Sequence, residues 1–451
     1  MEKPSIELAM IVRNGAASLA RAIHSALPAV DHVMVGDTGS TDNSAAIARG
    51  LGAEVFDVPW EEDFAQARNA VLQACTADWI LILDADEMLD PQGVSSIPEL
   101  ASQGQVDAWE VWKWNYIRTL TSRSGIESAR RNPNLLPESH IYPAYTRSLS
   151  TLFFRRIPGL CFEYEVHETV SRRARELQLR IAEAPFVIHH FGYAEESVQQ
   201  RQEKLERYHQ AGIRKVQTHP HDYWAHYELG LSTFEHRRDP QSALLCLENA
   251  LRLNPHFHPA WIYAGICLAR CGHLEQALEC LSRGEDPDHP NALLHEAKGD
   301  VYFHSGDFPL AEQHYRLAGQ LADLSPLTAC KLGACAVRMG RREEGLAAIC
   351  HAVEREPHTA ELHDIRIAAA MECGEIQTAA EAALERLKIG SPNVDFFVIA
   401  AGLQARLGHW EQAAWILFDG MRLHPAEPRL RREWEIAVDR HTLSEPLIVA
   451  R

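Results

Sequence analysis

The chain has 451 residues, 46% of them hydrophobic, and a formal net charge of −18. That length calls for two or more domains. The charge argues against nucleic acid or an anionic membrane as the main partner, while leaving room for a local basic groove. No stretch of about 18 apolar residues marks a membrane span, and Met1-Glu2-Lys3-Pro4 lacks the basic-then-apolar pattern of a signal peptide. The ten cysteines are scattered without paired metal spacing; Cys246, Cys267, Cys271, Cys280, Cys330, Cys335 and Cys350 sit in helical patterns. They read as small buried hydrophobes in a reducing compartment, so the expectation is a cytoplasmic protein.

Taken in chain order, Glu7-Leu8-Ala9-Met10-Ile11-Val12 reads as a strand entering the polar turn Arg13-Asn14, and residues 18–29 as a helix. His32-Val33-Met34-Val35-Gly36 is a second strand, ending in Asp37-Thr38-Gly39-Ser40-Thr41-Asp42. Residues 43–52 suit a helix, 54–60 a third strand, and Asp63-Phe64-Ala65-Gln66-Ala67-Arg68-Asn69 opens another helix. This leads to Asp78-Trp79-Ile80-Leu81-Ile82-Leu83, an apolar run that drops into Asp84-Ala85-Asp86-Glu87. The run reads as a fully buried strand. In an open α/β sheet, ligands sit at the carboxyl ends of strands. Two acids one residue apart at such an end suit a hard divalent cation carrying phosphate oxygens. Strands alternating with helices predict βαβ units and a Rossmann-like, mainly parallel sheet.

Four of these segments, Met10-Ile11-Val12-Arg13-Asn14, Asp37 to Asp42, Asp63 to Asn69 and Asp84-Ala85-Asp86-Glu87, resemble family 2 glycosyltransferases in the family's own order. The resemblance runs from the start of the chain to about Glu195 and implies an inverting enzyme of the GT-A fold. It departs at Gly15, where related chains carry an acid, and at Gly36, where an aliphatic residue is common. A nucleotidyltransferase would share the fold, but Arg13-Asn14-Gly15-Ala16-Ala17 is not its glycine-rich phosphate loop.

Further along, Trp109-Glu110-Val111-Trp112-Lys113-Trp114-Asn115-Tyr116 alternates as a strand does. Its aromatics suit either a sugar or peptide platform or sheet core. Residues 118–138 are polar and read as a lid-like loop. Arg147, Arg155 and Arg156 flank an apolar strand, facing either a diphosphate or solvent. Glu165-Val166-His167-Glu168-Thr169 and Val187-Ile188-His189-His190-Phe191-Gly192-Tyr193 resemble segments of family 2 enzymes that carry tetratricopeptide repeats.

The resemblance implies a nucleotide-sugar donor, a UDP-sugar in the first place, held by Arg13, Asp37, Asp63, Arg68, Asp84, Ala85 and Asp86. Asp37 and Arg68 look like the residues that hold the base, with Asp63 assisting, and Asp84 lies near the ribose or the metal. A divalent cation, manganese or magnesium, is the implied cofactor, with Asp86 and His190 as its ligands and His167 or His189 as alternatives to His190. An inverting displacement needs one general base opposite the leaving group, and Glu168 is the candidate.

The second half has a different grammar. Gly272, Gly306, Gly340, Gly374 and Gly408 recur at one constant interval. Ala243, Ala277, Ala311, Ala379 and Ala413 keep the same interval, with Gly345 in the remaining place, and Pro255, Pro357 and Pro425 fit it too. A period of about 34 marks tetratricopeptide repeats. The expected organisation is a GT-A catalytic domain at 1–200, a linker helix at 201–221, six repeats at 222–426 forming an all-α solenoid, and a capping helix and tail at 427–451. Relatives of this kind include bacterial enzymes that glycosylate Cys or Ser side chains of peptides. The expected acceptor is therefore a peptide or protein, bound at the repeat face, with a cell-surface glycan or lipid-linked acceptor as the alternative. Homodimerisation through the repeats and a catalytically silent scaffold remain open at this point.

Overall fold

The computed structural model describes residues 3–118, 123–124, 127–192, 198–390 and 392–444. The chain divides into two compact units, Met1–His289 and Pro290–Arg451.

The first unit is built on a mixed sheet. Its strands in chain order are β1 (Ile6–Val12), β2 (His32–Asp37), β3 (Glu54–Asp57), β4 (Trp79–Ile82), β5 (Glu87–Leu89), β6 (Ala108–Ile117), β7 (Arg123–Ser124), β8 (Glu127–Ser128), β9 (Arg130–Arg131), β10 (Ala144–Arg155) and β11 (Ile181–His190). The order across the sheet is β3-β2-β1-β4-β10-β6-β11-β5; β9 pairs with β10, and β7 and β8 form a separate hairpin. The first four strands are parallel, as short βαβ connections demand. β10 then enters antiparallel between β4 and β6, β11 runs parallel to β6, and β5 runs antiparallel to β11.

Helices α1 (Leu19–Ala26), α2 (Ser44–Gly50), α3 (Phe64–Ala74) and α4 (Pro91–Ser102) cover this sheet, with a short α5 (Ser171–Glu176) after β10. The core is apolar on both strand faces: Ile6, Leu8, Val35, Trp79, Ile80, Leu81 and Phe153 are completely or almost completely buried. That double burial explains why the β4 run shows no alternation in sequence. Trp79 stacks on Phe153 across β4 and β10 with ring centroids 4.7 Å apart.

The register of β10 settles two of the arginines. Arg155 stands opposite Trp79, at the start of β4 and so at the far end of that strand from Asp84. Arg155 pairs with Asp107 at 3.6 Å and Arg156 donates to the Ala77 carbonyl at 2.9 Å. These two side chains tie down the end of β4 and β10 opposite the Asp84 end. Arg147 lies over the Trp112 ring, 4.3 Å from its centroid.

The glycines at which the sequence departs from its relatives have steric reasons. A Cβ on Gly36 would lie 2.6 Å from Val71 Cγ2 and 2.8 Å from Val58 Cγ2. Those two valines leave no room for a side chain at Gly36. A Cβ on Gly15 would lie 3.0 Å from Ala85 Cβ, so the loop after β1 packs directly on the loop after β4.

Helix α6 (Val198–Thr218) follows the sheet, and the remaining helices of the first unit come in two pairs: α7 (Tyr223–Glu235) with α8 (Pro240–Leu253), and α9 (His258–Arg270) with α10 (Leu274–Arg283). In the second unit the pairs are α11 (Ala292–Ser305) with α12 (Phe308–Leu321), α13 (Pro326–Arg338) with α14 (Arg342–Arg355), α15 (Ala360–Cys373) with α16 (Ile376–Leu387), and α17 (Val394–Arg406) with α18 (Trp410–Leu423). Helix α19 (Pro428–Ser444) follows. Together with the sheet-bearing N-terminal region this is a GT-A-type α/β fold followed by tetratricopeptide hairpins.

The periodic glycines now have a mechanism. Gly272, Gly306, Gly340, Gly374 and Gly408 take φ values of +85°, +82°, +87°, +81° and +83°, each just past the first helix of a pair. Only a residue without Cβ enters that region freely. In the first pair the same place, one repeat interval before Gly272, is held by Arg238 at φ +54°. Ala243, Ala277, Ala311 and Ala379 are fully buried between paired helices. Gly345 breaks that rule because a Cβ there would come within 2.4 Å of the Gly333 carbonyl oxygen; α13 and α14 approach too closely for alanine.

Candidate active site

The candidate site lies at the carboxyl end of β4, where Asp84 and Asp86 leave the sheet. Its centre is a chain of charges drawn from four separate parts of the sequence. Arg68, on the buried side of α3, donates from Nη2 to Asp84 Oδ1 at 2.6 Å and from Nε to Glu168 Oε1 at 2.7 Å. Lys113, from β6, pairs with Glu87 Oε1 at 2.6 Å and lies 3.9 Å from Asp84 Oδ2. Glu87 is fully buried, and its other oxygen accepts from the Asp84 backbone N–H at 2.9 Å.

The electrostatics follow from these contacts. Burial by itself would raise the Asp84 carboxyl, but Arg68 and then Lys113 outweigh it and hold Asp84 well below the usual carboxylate range. Burial dominates at Glu87 and pushes it up, with Lys113 opposing. Lys113 is disfavoured by burial yet raised by Glu87 and Asp84, so it stays charged. Buried charges persist only when paired in this way.

Asp86 points to a second group. Its Oδ2 lies 3.4 Å from His190 Nε2. On the other side of the imidazole, Nδ1 meets Asn115 Oδ1 at 2.8 Å, and Asn115 is oriented by donating to Ser148 Oγ at 3.2 Å. With Nδ1 engaged by that oxygen, Nε2 is the ring nitrogen directed toward Asp86. Such outer hydrogen bonds are how metal-ligating imidazoles are held. Burial lowers His190, but Asp86 reverses the sign and the ring is raised overall; at Asp86 burial raises the carboxyl, but His190 outweighs it and the group is lowered.

Gly192 lies against this pair. A Cβ there would be 2.0 Å from Asp86 Oδ2 and 2.9 Å from His190 Nε2, so the chain can pass this close only as glycine. Among the described residues no three His, Cys, Asp or Glu side chains group as a metal centre. Asp86 and His190 would offer a bound cation two ligands, leaving its remaining positions to phosphate oxygens and water.

The other two histidines go elsewhere. His189 alternates to the opposite face of β11 and is buried in an aromatic cluster; its Nδ1 meets the Tyr116 hydroxyl at 2.9 Å, and burial pushes it down to about 4. It is a core residue. His167 is exposed and lies edge-on to Tyr208, with ring centroids 5.5 Å apart.

Beside these networks lie the turns that follow β1 and β2. Asn14, at φ +55°, accepts through Oδ1 from the Thr41 backbone N–H at 2.7 Å, and its own N–H donates to Ser40 Oγ at 3.0 Å. Asp37 Oδ1 accepts from the Gly39 and Ser40 backbone N–H groups at 3.1 and 2.7 Å, which shapes the turn after β2. Arg13 is exposed beside Asn14, and Ala85 packs under Gly15. Asp63 caps α3, accepting from the Gln66 N–H at 2.9 Å.

The structure thus joins Asp84, Arg68 and Glu168 in one network, and Asp86 with His190 in another. It leaves Arg13 and Asp37 on the neighbouring loops and gives Asp63 a capping role. Arg68 is buried and spends Nε and Nη2 on two carboxylates, Glu168 and Asp84. Lys113, Asn115 and Gly192 were not singled out from sequence. The signal for the first two is their place in the alternation of β6, where Lys113 and Asn115 fall on the same side as buried Trp109 and Val111; a cation and an amide on a buried face need partners. Tyr193 and part of the 118–138 loop lie outside the described residues, and among the described residues no helix is long and apolar enough to cross a membrane.

Comparison with known proteins finds similarity in both halves of the chain. Residues 8–138 match the family model for glycosyl transferase family 2, and residues 236–301 match one for the tetratricopeptide repeat. A TPR repeat-containing protein of Synechococcus elongatus is 33% identical over 231 residues, covering 50% of this chain and 51% of its own. An uncharacterized glycosyltransferase of Rickettsia felis is 43% identical over 97 residues, 20% of this chain and 31% of its own. The SPbeta prophage-derived glycosyltransferase SunS of Bacillus subtilis is 26% identical over 102 residues, 22% of this chain and 24% of its own. The chain therefore spans about half the length of the first of these relatives and a third or less of the other two.

Proposed function

Because the chain carries a family 2 glycosyltransferase domain followed by tetratricopeptide repeats, we propose that it transfers a sugar, with inversion, from a UDP-sugar to a peptide or protein acceptor in a divalent-metal-dependent reaction. The observation that carries this reading is the Asp86–His190 pair, set 3.4 Å apart over a glycine at the end of β4. A manganese or magnesium ion held there would neutralise the departing diphosphate as a Lewis acid.

The chain's own residues supply the rest. Arg68 and Lys113 fix Asp84 as a carboxylate at the mouth of the site, where it meets the ribose or the metal's water shell. The Asn14 and Asp37 loops form the floor on which the nucleotide rests, with Asp37 Oδ2 and Arg13 directed to the base and phosphates. Glu168 is the general base: Arg68 pins Oε1, which leaves Oε2 to take the acceptor's proton. The repeats bind the acceptor, and homodimerisation is the competing use of that surface. The relatives named glycosyltransferase support the reaction class; the peptide acceptor rests on the repeats.

The test is binding and transfer with the full chain. Thermal unfolding with a panel of UDP-sugars and manganese should show stabilisation by about 2.7 kcal/mol at ~100 times the dissociation constant, lost on chelation. Labelled sugar should then appear on peptide rather than in lipid extract. Stabilisation by donor that survives chelation would sink the metal role, and label confined to lipid would sink the acceptor.

A further inference from the structure

The loop that presents Glu168 is strained and is held from outside. Backbone hydrogen bonds between Glu163 and Thr169, 3.0 and 3.2 Å, close its base. Inside it, Tyr164 and His167 adopt φ values of +76° and +56°. Residues with a Cβ keep such conformations only where their surroundings impose them, and they gather at functional sites.

One side of the loop is tied to α3, the helix that carries Arg68. The Phe64 N–H donates to the Glu165 carbonyl at 2.9 Å, and Asn69 makes a reciprocal pair with the Phe162 backbone at 2.9 and 2.8 Å. The other side is tied to the helices that begin the repeat region. Tyr164 Oη donates to Asp222 Oδ2 at 2.7 Å and accepts from Arg172 at 3.0 Å. Lys215 Nζ sits 3.6 Å from the Tyr164 ring centroid and is itself held by Glu228 of α7 at 2.6 Å. Arg214 Nε donates to Glu165 Oε2 at 3.0 Å. Asp222 also caps α7, accepting from the Trp224 N–H at 2.9 Å, so one carboxylate joins the start of the repeat helices to the loop.

We propose that Tyr164 is a positioning residue for sugar transfer: through Asp222, the first repeat hairpin imposes the strained loop that places Glu168 against Arg68. The repeat region then completes the active site as well as reading the acceptor. This rests on the reading of Glu168 as the general base. Burial and the Asp222 bond push the Tyr164 phenol up to about 12, so it remains a donor across the pH range of an assay.

The experiment uses the full chain with manganese and whichever of UDP-glucose, UDP-galactose and UDP-N-acetylglucosamine it hydrolyses fastest. Tyr164→Phe keeps the ring beneath Lys215 but removes the bond to Asp222. The expected result is a kcat lower by about 10- to 100-fold, the usual cost of a small misplacement, with KM and UDP affinity unchanged. On a Glu168→Gln background the same change should lower the rate no further, which a general loss of packing would not reproduce. Asp222→Asn, which keeps an oxygen for the α7 cap, carries the same test should Tyr164→Phe not fold. Wild-type kcat in Tyr164→Phe beside an inactive Glu168→Gln overturns the positioning role alone. Full activity in Glu168→Gln overturns the base reading on which it rests. Additive losses in the double variant overturn the proposal that Tyr164 acts through Glu168.

Discussion

The site at the end of β4 and the helix pairs that follow are made by opposite kinds of specification. At the site, residues 68, 84, 87, 113 and 168 meet in one charge network though no two share a helix or strand. In the helix pairs, each important residue meets a partner at a fixed short interval, and the interval repeats. Packing that recurs once per repeat is local physics: a glycine releases the helix and a small residue lets its neighbour in. Convergence at a strand end is global physics, since only the finished sheet brings α3, β4, β6 and the Glu168 loop together. Changes at the site should therefore be large and non-additive, and changes in the pairs modest and separable.

The largest effect is expected at Asp86. Asp86→Asn keeps the shape but removes the charge that faces His190, and it should abolish manganese-dependent donor turnover while the far-ultraviolet spectrum stays native. Near-full activity in that variant would mean that the Asp86–His190 pair is not the metal platform.

Lys113→Met comes next and reads the network through stability. It leaves Glu87 buried without its partner, and breaking a buried pair from one side costs about 3–5 kcal/mol. Urea titration should show that loss, and Lys113→Met with Glu87→Met should recover much of it. A Lys113→Met loss no larger than that of a surface lysine would show the site to be built from independent pairs, like the helices.

Within the helices the expected scale is smaller. Gly345→Ala forces a Cβ to within 2.4 Å of the Gly333 oxygen, an overpacking that costs about 1–3 kcal/mol. Alanine already occupies the corresponding place in the other pairs, so a neutral result would mean that α13 and α14 can separate freely.

The smallest effect should be a gain. Arg238 holds a left-handed conformation that five glycines hold in the later pairs, and Arg238→Gly should stabilise the protein by about 1 kcal/mol, read as a higher unfolding midpoint. An unchanged or lower midpoint would mean that the Arg238 side chain repays its own strain.

What was legible in the sequence follows the same division. The βαβ order up to Asp84 and the repeat interval were readable, because both are written in neighbouring residues. Asp84 and Asp86 stood out because a buried strand ended on them. Arg68 stood out too, but its partners could not be read, since Glu168 lies a hundred residues away in sequence. His190 was preferred over His167 and His189 only by resemblance; strand alternation gives the physical reason, turning His189 toward Tyr116 and His190 toward Asp86. Lys113 was hidden by the aromatics around it.

The placement of β5 has a consequence for how the protein is made. This short strand, which begins with Glu87, takes its ladder hydrogen bonds from β11, and β11 begins at Ile181. A ribosome adding about 5–20 residues per second exposes the edge and its acids for several seconds before their strand exists. During that interval the parallel half of the sheet, β1 to β4, is complete in sequence yet lacks β10, which completes its inner edge. The nascent chain is then a short open sheet with one bare side, and factors that shield unpaired strands would find their client there. His190, at the end of β11, is the last of the charged and ligating side chains gathered at the end of β4 to leave the ribosome.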